Sequence, residues 1–440
     1  MRALWSHVGV SSKKIQLSTS PDGQNWTNPV DVSPPSQEAI EPHLVLDATG
    51  QVTAIWTDTT GADSIWTSKR EWGEETWSDP VQLSPDGENS GEAHIVVDSN
   101  YNFTVIFNNW DAHKIQVRTS RNAVTWEPIV TLAQESNSQY LRSPRIGVDG
   151  SGRVTAVWTA YDSGNDYPMV VSRSSAETGV WSDATTLSEL GTDSNDPQIA
   201  VTKEGLATAT WRSDLLGREI QSRSSQDGGS WTAPVGHGTG EGRKPNVSLG
   251  ASGSVILSFH DGDTGLIAYS SSEDGAHWGS EQTIDGYPDD YSYGMSSDHV
   301  AKFIADSAGN LTAVWMRDYT GDPDYPHYRV TASTSSDGVT WSEPIELAGT
   351  SSYSVNAVVS PQCQVTALYE LSDGTENTVQ SRTLDNGGCK SGGNHHGGGS
   401  SSEKLAFTGA NDAALTSVMF AGLALLVAGG VVLRRRTSRS

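Results

Sequence analysis

An apolar strand ending in an aromatic residue returns through this chain at a nearly fixed interval. VTAIW ends at Trp56, FTVIF at Phe107, VTAVW at Trp158, ATATW at Trp211, VILSF at Phe259, LTAVW at Trp315 and VTALY at Tyr369, with an earlier copy ending at Trp5. The steps between these aromatics are 51, 51, 51, 53, 48, 56 and 54 residues. A unit that recurs at about 50 residues cannot bury its own apolar faces and must stack on its neighbours.

Each unit reads as four short strands. HLVLD (His43 to Asp47) precedes a Gly-containing turn and VTAIW; a loop leads to a strand such as EIQSRSS (Glu219 to Ser225), then a second turn and a last strand such as PVQLS (Pro80 to Ser84). Four antiparallel strands per repeat at this length predict an all-β propeller in which each repeat is one blade. Parallel solenoids use shorter periods, and separate sandwiches need more residues per domain. The first repeat lacks its innermost strand and the last lacks a clear outer one, yet both carry the two middle strands, so they do not merge. Eight blades are expected, with seven as the alternative. The propeller is expected over residues 1–388.

The second turn has its own signature. SSDGVTW (Ser335 to Trp341) recurs as SPDGQNW (Ser20 to Trp26), SQDGGSW (Ser225 to Trp231) and SEDGAHW (Ser272 to Trp278), with looser copies SRNAVTW (Ser120 to Trp126) and SAETGVW (Ser175 to Trp181). The Asp side chain accepts backbone N–H groups, Gly takes a positive φ, and Trp folds back as an apolar plug. The signature resembles the Asp-box of sialidases and related BNR-repeat propellers, S-x-D-x-G-x-x-W, shortened here by one residue between Asp and Gly. In that family the boxes lie between the third and fourth strands, away from the active site, which implies an architectural role here. Asp22, Asp227, Asp274 and Asp337 each stand nearly alone, whereas Ca²⁺ takes six or more oxygens. No cofactor or metal is expected.

The formal charge of −25 argues against a nucleic-acid partner, which needs a Lys/Arg surface. Residues 389–404 are Gly/Ser-rich and read as a flexible linker. LAFTG (Leu405, Ala406, Phe407, Thr408, Gly409) follows, then an apolar segment over 413–433, long enough for a spanning helix, and the basic tail RRRTSRS. This order resembles the sorting signal of Gram-positive surface proteins of the LPxTG type, in its LAxTG variant with Ala406 in place of Pro. The resemblance implies that residues 405–440 direct sortase cleavage after Thr408, that Thr408 becomes joined to peptidoglycan, and that the membrane is met only before sorting. A permanent single-pass anchor is the alternative. Either way the propeller is expected outside the cell. Met1 is followed at once by the strand RALWSHV with no signal core, so the N-terminus reads as incomplete. Cys363 and Cys389 can pair in an oxidising compartment.

Counting back 13 residues from each aromatic, Trp56 through Tyr369, gives His43, His94, Arg145, Gln198, Asn246, Lys302 and Asn356. All seven donate hydrogen bonds through nitrogen and none is acidic. Read as openings of the innermost strands, they are expected to ring the channel mouth and favour an anionic or polyhydroxylated ligand such as a glycan; polar preference at strand ends is the alternative. The expected function is a wall-anchored surface propeller binding glycan or protein ligands. A sialidase-like hydrolase is the second reading: SPRIGVD (Ser143 to Asp149) only partly matches the F/Y-R-I-P motif of sialidases, and no Tyr/Glu nucleophile pair can be named.

Overall fold

The computed structural model is an eight-bladed propeller. It describes residues 1–385 and Val418–Met419, apart from 9–11, 22, 24, 75, 136–140, 162–166, 177–178, 215–218, 239, 251–252, 285–300, 307–308, 319–327, 349–351, 360–363 and 373–376. Strands are labelled A to D from the channel outward. Blades 2 to 7 are four-stranded antiparallel sheets in the order A-B-C-D. In blade 2 these are Ala39–Leu46, Val52–Asp58, Ser64–Arg70 and Val81–Gln82.

The two ends differ as the repeat pattern predicts. Among the described residues blade 8 has three strands, Ser352–Val359, Gln364–Ser372 and Asn377–Asp385. Blade 1 is built on Arg2–Val8, Lys13–Thr19 and Val30–Asp31, and its innermost place is taken by Val418–Met419, parallel to Ala3–Leu4. That corrects one expectation. Of the apolar segment 413–433, read as a spanning helix, Val418–Met419 are the described residues, and they form a strand; among the described residues no helix is long and apolar enough to cross a membrane. β-Branched Val is accommodated more readily at a strand edge than in a helix. The linker 389–404, the pentapeptide 405–409 and both cysteines lie outside the described residues.

Strand B explains why the repeats read as apolar runs. In blade 2 all seven of its residues, Val52–Asp58, are buried, because each blade is covered on both faces by its neighbours. The core is accordingly a series of wedges between blades. Ile55, Ile65 and Leu83 of blade 2 pack with Ile95, Val105 and Phe107 of blade 3, and the pattern repeats around the ring. Ala3 and Trp5 of blade 1 meet Val358 and Leu368 of blade 8, which closes it. The aromatics Trp56, Trp158, Trp211 and Trp315 are fully buried. Truncating one to Ala costs about 3–5 kcal/mol.

The SxDGxxW turns join strands C and D. Asp337 Oδ1 accepts the N–H groups of Val339 and Thr340 at 2.9 and 2.7 Å, and Ser335 Oγ accepts that of Gly338 at 2.8 Å. Asp227 and Asp274 repeat the pattern, and Asn122 replaces them in the looser copy. The glycines have φ of +68° to +75°, and Gly23, Gly228 and Gly275 also press on the preceding blade. A Cβ on Gly275 would stand 1.9 Å from Ser224 Oγ, and one on Gly23 would stand 2.2 Å from Thr366 Oγ1. Ser224 Oγ donates to the Gly275 carbonyl, and Tyr269 OH donates to that of Gly338. Each of these turns therefore latches its blade to the one before.

Candidate functional site

The channel is lined by the A strands, and the seven donors occupy one register on them. His43 stands opposite Ile55, His94 opposite Ile106, Arg145 opposite Val157, Gln198 opposite Thr210, Asn246 opposite Ser258, Lys302 opposite Val314 and Asn356 opposite Leu368. All seven are half-buried. Their depth corrects the expectation that they open the strands. Six of them sit three or four residues inside, because the A strand starts earlier, at Ala39, Ser90, Arg142, Ser194, Gly242 and Ser352. The described part of the blade 7 strand begins at Lys302 itself.

A bulge sets this placement. The ladder shifts just before the donor in blades 2 to 6, and the residue two positions ahead adopts a left-handed backbone: Glu41 (φ 50°), Glu92 (52°), Ser143 (51°), Asp196 (56°) and Lys244 (52°). None is glycine, and such a conformation costs about 1 kcal/mol or more for each residue. Bulges re-aim side chains, and here one precedes each of five polar donors. The sequence signal is visible in retrospect as Glu-Pro-His, Glu-Ala-His, Ser-Pro-Arg, Asp-Pro-Gln and Lys-Pro-Asn.

Two of these residues relay between blades. The Glu92 N–H donates to the Glu41 carboxylate, which also accepts Thr57 Oγ1 at 3.3 Å. Glu92 Oε2 in turn accepts the Ser143 N–H at 2.9 Å and Asn108 Nδ2 at 3.3 Å. Burial, with the nearby Glu92 and Asp63 charges, pushes the Glu41 carboxyl up. Neither glutamate was visible as a candidate from the repeat spacing, which selects the donor position and not the bulge.

Beneath the relay, the His43 and His94 rings meet edge to face with centroids 4.3 Å apart. Burial and the Arg145 charge push His43 down to about 3. The same two causes, with His43 itself, hold His94 well below the usual imidazole range. Two neutral imidazoles beside a permanent guanidinium offer N–H groups to an anion without the cost of burying three cations together. Arg145 Nη1 donates to the Pro144 carbonyl at 3.0 Å.

The long loops contribute less than their composition suggests. Trp110 lies on its own blade, where a Cβ on Gly91 would stand 2.3 Å from its ring. Asp58 and Asp261 cap their own turns, accepting Thr60 N–H and Asp263 N–H respectively. Arg212 approaches Asp214 at 4.0 Å and Arg243 pairs with Glu241. Tyr167 is exposed, whereas Tyr291, Tyr293, Tyr325 and Asp162 lie outside the described residues.

No family model matches the chain, and no curated protein matches it. Among solved structures, the BP39L lectin from Burkholderia pseudomallei is 11% identical with a TM-score of 0.50, covering 80% of this chain and 98% of its own. The microbial sialidase Hz136 is 14% identical (TM-score 0.41, 76% and 77% covered). A polysaccharide lyase described as a PL25 ulvan lyase bound to -[GlcA(1-4)Rha3S]- is 9% identical (TM-score 0.47, 78% and 93% covered). At these identities the lectin comparison concerns the fold alone.

Proposed function

We propose that this chain is a surface-displayed propeller that binds glycans through the channel, with its acidic sugars or sulfates met by Arg145, His43 and His94. The observation that carries the reading is that seven different nitrogen donors share one register on the channel strands of a chain with net charge −25. A polar preference alone favours no sign, whereas an acidic protein that keeps carboxylates out of one ring position on every described A strand retains a local site for negative or hydroxyl-rich groups. The SxDGxxW turns are, in this reading, shortened Asp-boxes that hold the blades, and the LAFTG tail is a sortase signal that joins Thr408 to peptidoglycan.

A glycan array probed with the full chain in mild detergent tests the binding reading. Retention of sulfated or uronate-bearing glycans by the parent, lost in Arg145→Ala, is expected; equal retention by both overturns it. A fluorogenic sialoside run in parallel separates hydrolysis from binding, since Arg145-dependent turnover would place the chain among glycoside hydrolases. The anchor has a separate test: Thr408→Ala released from walls by detergent no more readily than the parent means that no covalent link forms.

A further inference from the structure

The outer D strands share a mould that blade 8 presents, among the described residues, without a strand beside it. In blades 1, 2, 4 and 7 the residue directly after the D strand, Val32, Leu83, Leu187 or Leu347, is aliphatic and packs with its own C strand and the aromatic of the next blade. The N–H of that residue donates to the carbonyl of the C-strand aliphatic, Ile15, Ile65, Val170 or Val330, at 2.7–2.8 Å. In three of them the next residue is Ser, whose Oγ accepts the N–H of the same C-strand aliphatic at 3.0 Å.

Val379 holds the corresponding place in blade 8, opposite Glu370 and one residue before the partner of Tyr369. Its strand is the outer edge of the three-stranded sheet, and no described strand pairs with its far side. The next blade's aromatic is Trp5, and Val379 and Trp5 belong to one apolar cluster. Trp5 is 7% exposed, whereas its seven counterparts are at most 4% exposed, as expected where no D strand covers it. The edge thus continues an established ladder, with Val379 beside Trp5 in the place whose C=O and N–H bond the outer strand in other blades. A sheet edge of this kind takes an extended peptide by strand addition, with main-chain bonds giving affinity and the slot giving specificity.

We infer that the outer edge of blade 8 is a docking site for an extended strand of a partner polypeptide carrying Val, Leu or Ile followed by Ser or Ala. Residues 387–402, which follow the edge strand, are rich in Gly and Ser and poor in strand formers, which favours a strand from elsewhere. The slot is on the outer wall, so its occupant and a channel ligand do not compete.

The probe is a fluorescent peptide copying Asp79–Pro85 (DPVQLSP), titrated into the full chain by anisotropy. Saturable one-to-one binding is expected, weakened at least tenfold by N-methylation at the residue copying Leu83, and likewise in Val379→Asp. The methylated peptide leaves the protein untouched, so the result stands even where the variant fails to fold. No binding, or binding indifferent to methylation, overturns the proposal. So does a concentration-dependent dimer dispersed by the peptide, which assigns the edge to a second copy. Slow hydrogen exchange at Val379 in the free monomer, with no peptide binding, overturns it in favour of a segment of the chain itself.

Discussion

The outer turns and the channel strands both repeat around the ring, and they repeat different things. At the SxDGxxW turns the residue types are kept from copy to copy: Asp227, Asp274 and Asp337 each accept two backbone N–H groups in the same way, and Gly23, Gly228 and Gly275 stand against the preceding blade. At the channel register the position is kept while the residue changes, from His to Arg to Gln to Asn to Lys. Uniform chemistry at every joint is what holds a ring together. Varied chemistry at one depth makes the ring unsymmetrical, and an unsymmetrical channel can hold a ligand in one orientation.

Substitutions on the two sides should therefore fail differently. Gly275→Ala is expected to be the most damaging, since it combines a positive φ with a 1.9 Å approach to Ser224; a loss of about 3 kcal/mol, read as a lower denaturation midpoint, follows from overpacking plus backbone strain. Arg145→Ala should lower affinity for anionic glycans at least tenfold, about 1.4 kcal/mol, with a much smaller change in midpoint. If stability fell as far as in Gly275→Ala, the channel residues would belong with the joints. Gly179→Ala is a calibrating case, because its φ is +86° and nothing stands within 4 Å of the added Cβ; about 1 kcal/mol is expected from strain alone.

Acid should sharpen the contrast further. His43 and His94 are neutral in the folded chain, so the unfolded chain binds protons first as pH falls below the ordinary imidazole value of about 6.5. Their contribution is intact above that value and is lost from there down towards 3. A His43→Asn/His94→Asn pair should flatten the melting temperature between pH 7 and 4. Asp227 is held down to about 2 by the Ser230 and Gly229 N–H groups, so its contribution is present above about 4 and is lost between there and 2. Asp227→Asn should flatten only that lower window, and by the smallest margin, because the carboxylate faces solvent.

The repeat length and the buried aromatic disclosed the propeller because a both-sides-buried strand must be apolar throughout, as in Val52–Asp58. The incomplete first and last units were legible for the same reason. The donor register was legible by counting, since two antiparallel strands joined by a short turn keep a fixed separation. Its depth was not, because the bulge at Glu41 or Ser143 adds residues that no periodicity marks, and the Pro that follows it is equally common in plain loops. Nor was the Glu41 to Glu92 relay, which joins side chain to backbone across blades 51 residues apart in sequence. The strand at Val418–Met419 was hidden by hydrophobicity alone, which cannot distinguish a lipid-facing helix from a residue pair completing a sheet.

The blade-to-blade latch has a consequence for ancestry. At three joints the glycine half of the fitting, Gly23, Gly228 or Gly275, sits on one blade's turn and the hydroxyl half, Thr383, Ser174 or Ser224, on the third strand of the blade before. Duplicating one such unit in a gene creates two correct joints at once and leaves none to be invented. A ring assembled from self-mating cassettes can grow by unequal crossing-over, and only the seam where first meets last has to be solved anew.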